Sequence, residues 1–382
     1  MFESKLPYNI EPRNSALDIV KTISVTLVAI FHYVAWNGIP GIISRSAYLC
    51  VDLLFIVTGY TTMLSLMRKT GTIEEYTCYL WKSRIFRLWI PYVIIYACVL
   101  LLYAIRDGIH SFLFRYTDFY TYFTVFFLLE GIGFLEGGEL LGLNSTGVAW
   151  PLASEFWISL FIFPIIYKFR KRPLMILYCM LAVALVSMNL ILINNNDYKY
   201  MDQHFSNCIS INWLYIPIGA VRCILGLALG IIVYYARVTL EQKLSKIRSD
   251  NNYIFVRGGL TFAEIVIIFV LIFVYGRMNF VTRNTVVFPV LAAMLVLLFS
   301  LQNTQGAVTK VLNSRSLVWL GKLYFGVLMT HPFWMFLYKI TYFQEHIRRG
   351  ILIFVICTTI SAVLFHFTAE RLGKMLNTKF QK

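Results

Sequence analysis

His32 lies inside the apolar run LDIVKTISVTLVAIFHYVAW, Leu17 to Trp36. A neutral imidazole there can abstract a proton from a hydroxyl, and a carboxylate beside it can orient the ring and stabilise the imidazolium. Two carboxylates are candidates for that partner: Glu155 in AWPLASEFWISLF and Asp52 in CVDLLFIVTGY. A second imidazole, His331, occurs in VLMTHPFW. Another set is cationic. Arg84 and Arg87 in WKSRIFR are three residues apart, so on a helix they face one way. Their guanidinium forks suit phosphate oxygens. Lys21, with Asp18 three residues before it, adds to the charge near the start of the first run. A phosphate clamp toward one face and a base deeper in the membrane would suit a phosphate-bearing acyl donor and a hydroxyl acceptor on the far side.

Each residue also has a plainer role. Asp52 can cap the second apolar helix, because acidic groups are favoured at helix N-termini. Arg84 and Arg87 can be anchors on the cytoplasmic face. His331 can be a packing residue. Arg222 and Glu264, both in mid-run, can pair with each other as structural glue. Glu155, one turn after Trp150–Pro151 in an apolar segment, needs a partner or a function.

The elements that must position these groups follow from composition. Of 382 residues, 59% are hydrophobic and 14% charged, which is more apolar surface than a soluble chain of this size can hide. The runs are ~17–23 residues long without period-2 alternation, so they are helices rather than barrel strands. An all-α integral membrane protein is expected, a single polytopic domain over 1–382 with no fused extracytoplasmic domain. Its ten spans are expected at 15–36, 48–67, 88–105, 147–167, 174–194, 213–236, 254–276, 286–302, 317–339 and 351–370. Residues 119–135 read as re-entrant or interfacial, because that choice keeps the basic loops RK (68–69), WKSRIFR (81–87) and KFRKR (168–172) on one side. On this topology 21 of the 34 lysines and arginines lie on that side and 9 on the other, so both termini are expected in the cytoplasm. The net charge of +15 is then mostly topology and suits anionic lipid; its spread over short loops excludes a nucleic-acid face. No metal is expected. Lys21 and His32 are ~16 Å apart along the first helix. His32, Asp52, Glu155 and His331, from four helices, then share the outer half of the membrane.

Six segments taken in order resemble the membrane acyltransferase-3 family, integral enzymes that O-acetylate bacterial polysaccharides and related glycans. LDIVKTISVTLVAIFH resembles the family's opening helix, with Asp18, a basic residue at Lys21 and His32. VDLLFIVTGY resembles its VDLFFVLSGF stretch, and RIFRLWIPY its R-x-x-R-x-x-P segment. AWPLASEF resembles WSLSVE, mapping Trp150 and Glu155. THPFW is similar to a late His-Pro signature and TAERLG to a C-terminal Glu-containing ending. Lys21 stands where Arg is more usual, Thr58 replaces Ser, and Pro151 interrupts the W-S-L pattern. The resemblance implies His32 as the reactive or base residue, with Asp18 and Lys21 organising the inner mouth. It implies acyl-CoA, in particular acetyl-CoA, as donor, with Arg84, Arg87 and Lys21 near its phosphates. It also implies a sugar hydroxyl of a lipid-linked or surface glycan as acceptor, and residence in the bacterial cytoplasmic (inner) membrane. The competing class is a transporter or flippase for an anionic glycan or acyl compound, since intramembrane charges serve transport too. The absence of a repeat between halves and of paired broken helices counts against it.

Overall fold

The computed structural model describes residues 14–36, 46–108, 119–129, 132, 149–196, 217–247, 253–277, 282–340 and 347–380. Among these residues the chain is all-helical. The long helices are α1 (Ser15–Trp36), α2 (Cys50–Met67), α3 (Ile73–Arg84) and α4 (Ile90–Asp107). After a short α5 (Phe119–Phe126) come α6 (Trp150–Phe169), α7 (Pro173–Asn196), α8 (Ile218–Ile247), α9 (Tyr253–Arg277) and α10 (Thr282–Ser300). Two short helices, α11 (Ala307–Leu312) and α12 (Arg315–Val318), precede α13 (Tyr324–Ile340) and α14 (Ile347–Phe380). Eight of the described helical spans are long and apolar enough to cross a membrane, and Thr285–Ser300 is a shorter apolar helix. The molecule is a multi-pass membrane protein.

A helix stands at each of the ten expected spans, but several boundaries differ for local reasons. The third span does not begin at 88. α3 starts at Ile73, where Thr72 and Glu75 form a reciprocal capping box: Glu75 N donates to Thr72 Oγ1 at 3.3 Å, and Thr72 N to Glu75 Oε2 at 3.1 Å. It runs through a π-helical turn, Ile85–Trp89, into α4. The ninth span starts at Tyr324 rather than 317, because 315–322 forms short turns pressed against α1. A Cβ on Gly321 would lie 2.8 Å from Cβ of Asp18. α8 outlasts its apolar run by three turns, carrying Arg237 and Glu241 one turn apart.

In 119–135 the only described helix is the eight-residue α5, ~12 Å long and too short to cross. Its end is a Schellman turn with Leu128 at φ 56°: Leu129 N donates to Thr124 O at 2.8 Å and Leu128 N to Val125 O at 3.1 Å. Leu in place of Gly there costs about 1 kcal/mol. Three aromatic donors hold the turn, Trp89 Nε1 to Phe126 O, Tyr92 Oη to Val125 O and Trp157 Nε1 to Phe127 O, at 2.8, 3.0 and 3.0 Å. Most of 130–135 lies outside the described residues, as do 1–13, 109–118 and 197–216.

α2 and α8 cross closely at the centre. Gly59 on α2 and Gly226-x-x-x-Gly230 on α8 let the backbones meet: a Cβ on Gly59 would lie 2.6 Å from Leu227 O, and one on Gly230 would strike Ile56 O and Tyr60 N. Small residues serve this purpose in lipid, where apolar side chains alone give little drive for helix association. The end of the bundle where α1 begins is tied by polar caps. Ala16 N donates to Asn313 Oδ1 at 2.9 Å, and Asn14 Nδ2 to Phe299 O at 2.6 Å. Gln302 N donates to Glu241 Oε1 at 2.6 Å.

Candidate active site

α1 and α13 lie side by side, and their spacing aligns two pairs of residues. Lys21 and His32 are eleven apart, Tyr324 and His331 seven apart, so each pair occupies one helix face. At the lower level Lys21 Nζ sits 2.6 Å from Asp18 Oδ1 and 3.9 Å from the centre of the Tyr324 ring. The Tyr324 hydroxyl accepts from Arg87 Nη2 at 3.2 Å. Asp18, Lys21, Tyr324 and Arg87 thus form one polar layer joining α1, α13 and the π turn. Sequence reasoning missed Tyr324, and the signal was its i, i+7 position relative to His331.

At the upper level the two imidazoles meet. His32 Nδ1 and His331 Nε2 are 3.3 Å apart, and the rings lie within 11° of parallel with centres 5.5 Å apart. The centre separation exceeds the nitrogen separation by about two ring radii, so the rings meet edge to edge. His331 Nδ1 lies 3.0 Å from Val327 O, one turn back. Pro332 makes this turn unusual, since it has no N–H to give to Leu328 O. Both imidazoles are buried, His331 completely.

Neither carboxylate takes the expected place beside the His32 ring hydrogen-bonded to His331. Glu155 Oε1 accepts from Arg84 Nη1 at 2.7 Å. Asp52 is gripped by Arg222 in α8: Nε to Oδ1 at 3.0 Å and Nη2 to Oδ2 at 2.8 Å. Arg222 therefore does not pair with Glu264. Glu264 instead caps α11, accepting from Val308 N at 3.0 Å and from the Thr309 hydroxyl. Desolvation drives these choices: with Asp52 and Arg222 both 2% exposed, each charge needs a bidentate partner close by. The Arg222 guanidinium also lies 4.7 Å from the Tyr48 ring and 5.8 Å from Trp150. Trp150 thus packs the Asp52–Arg222 pair, with Phe55 edge-on at 5.8 Å.

Arg84 and Arg87 do not share one partner. The π turn begins directly after Arg84, and an extra residue per turn rotates the side chains beyond it. Arg84 reaches Glu155, with Thr62 Oγ1 at 3.5 Å, while Arg87 reaches Tyr324. Arg84 Nε is buried without a hydrogen-bond partner.

Glu155, His32 and His331 nevertheless line one cavity. It is walled by Val28 of α1, Phe55 of α2, Pro151 and Leu152 of α6 and Leu328 of α13. Pro151 sits in the first turn of α6, where its missing N–H costs no helix bond. Leu152 and Leu328 also border a second, more open pocket toward α4. A mostly apolar chamber with two imidazoles and a carboxylate at its wall, and a cationic layer to one side, has the parts for proton transfer next to a bound charged substrate.

A family model described as an acyltransferase domain matches residues 14–368. The chain belongs to the acyltransferase 3 family. It is a membrane-bound acyltransferase. No curated protein and no solved structure matches the chain.

Proposed function

We propose that this acyltransferase 3 protein moves an acetyl group from acetyl-CoA, entering at the cationic layer, to a sugar hydroxyl of a lipid-linked or surface glycan. The observation that carries the reading is the cavity shared by His32, His331 and Glu155, with Arg84 held on Glu155 and the Arg87–Tyr324–Lys21 layer beside it. Lys21 and His32 are separated by ~16 Å along α1, which keeps donor phosphates away from the reacting carbonyl. His32 takes the proton of the acceptor hydroxyl as its oxygen attacks the thioester carbon. The carbon–sulfur bond breaks, and the thiolate leaves with the proton that His32 held. Glu155 holds Arg84 in place and faces the chamber. Asp52, spent on Arg222, fixes α2 against α8. The protein resides in the bacterial cytoplasmic membrane with both termini and the cationic layer in the cytoplasm, as one domain.

Mass spectrometry of surface glycans with and without the gene tests the substrate class: a difference of one acetyl group per modified sugar is expected. In purified protein, His32→Ala is expected to lower turnover of labelled acetyl-CoA by about 10²–10⁴-fold with donor affinity kept. Identical glycans in both strains would end the glycan reading. Normal turnover by the alanine protein would end the role of His32.

A further inference from the structure

We propose that His331 is the positioning residue for His32: it selects the tautomer that leaves Nε2 of His32 as the proton acceptor. The proposal rests on the reading of His32 as base. Its basis is a chain of three groups, one of which has no freedom of role. The Val327 carbonyl can only accept, so His331 Nδ1, 3.0 Å away, carries hydrogen. In the neutral ring the lone pair is then on Nε2. That nitrogen lies 3.3 Å from His32 Nδ1, and the edge-to-edge geometry aims the lone pair along the ring plane. His32 Nδ1 must therefore donate, and the lone pair of His32 falls on Nε2. A carboxylate that accepts from the far nitrogen of a catalytic imidazole does the same work elsewhere. Here Glu155 and Asp52 are engaged with Arg84 and Arg222, and a second imidazole anchored on backbone takes that place.

The chain also has a use during reaction. As the acceptor O–H bond breaks, its proton forms a bond to His32 Nε2. The resulting positive ring keeps its Nδ1–H directed at His331 Nε2, so the charge is shared by a neutral acceptor within the apolar chamber. On collapse of the tetrahedral intermediate the Nε2 proton goes to the departing thiolate, and the starting tautomers are restored.

Three variants at 331 separate positioning from packing. His331→Gln keeps an acceptor near the Nε2 position. His331→Asn keeps a donor near Nδ1, within reach of Val327 O, and offers no acceptor to His32. His331→Leu keeps bulk alone. With labelled acetyl-CoA and purified protein, Leu and Asn are expected to lower kcat by about 10²–10⁴-fold with donor KM within a few-fold, while Gln recovers most of the loss. Nitrogen-15 NMR of histidine-labelled wild-type protein, assigned with His32→Ala, is expected to show His32 protonated at Nδ1. Asn active and Gln inactive would make His331 a helix-packing residue and overturn the proposal. So would a His32 signal protonated at Nε2, whether or not the variants fold. If His32→Ala itself transfers normally, the base reading falls, and the nitrogen spectrum still judges the tautomer.

Discussion

Breaking the buried pair between Asp52 and Arg222 should cost folding before it costs chemistry. Both side chains are 2–3% exposed and joined by two hydrogen bonds of 3.0 and 2.8 Å. Arg222→Met leaves the Asp52 carboxylate in an apolar site, and removing one member of such a pair costs about 3–5 kcal/mol. At 1.36 kcal/mol per decade that lowers the folded-to-unfolded ratio by roughly 10²–10⁴-fold. Asp52→Leu should do comparable harm by stranding the guanidinium, softened by the Tyr48 carbonyl 3.2 Å from Nη2 and the Tyr48 ring. The double variant removes both charges, and apolar replacement of a whole buried pair is often neutral. The assay is thermal melting of detergent-solubilised protein by fluorescence size exclusion, with acyl transfer measured on the folded fraction. Both single variants should melt well below wild type, and the double variant should recover stability and turnover together. A double variant that is stable but inactive would refute the structural assignment and return Asp52 to the chemistry. Single variants as stable as wild type would refute the energetic reasoning itself.

The same geometry sets other outcomes. Arg87→Ala and Arg84→Ala should each raise the KM for acyl-CoA, with Lys rescuing only in part because the fork is lost; unchanged KM in both would make them anchors. Glu155→Gln should lower turnover while the protein still inserts, because Gln keeps a hydrogen bond to Arg84 but not the charge; full activity would leave Glu155 a structural residue. Gly230→Val should prevent stable accumulation, since its Cβ would meet backbone atoms of Ile56 and Tyr60 that cannot swing aside; normal yield would show that α2 and α8 have room to part. A cysteine replacing Lys171, in a background without other cysteines, should react with impermeant label only from the cytoplasmic side, and labelling from outside would invert the topology.

The helical class, a helix at each expected span and the family were legible in the sequence, because lipid permits few backbone solutions and twenty-residue apolar runs announce one of them, although the third and ninth boundaries were not. With a fixed rise per residue, His32, Asp52, Glu155 and His331 were expected at one level; His32, Glu155 and His331 line one cavity, whereas Asp52 is turned to Arg222. Partner choice was not legible. Which carboxylate meets which cation depends on helix order and rotation, and these are set by features that periodicity does not reveal. Gly59, Gly226 and Gly230 bring α8 onto α2 and deliver Arg222 to Asp52. The π turn after Arg84 splits two arginines that an ideal helix would have pointed together. Pro332 opens α13 where His331 turns back to Val327 and out to His32. Sequence named the residues able to do chemistry, whereas only the packing of helices decided which of them touch, because a buried charge settles on the nearest partner that the backbones allow.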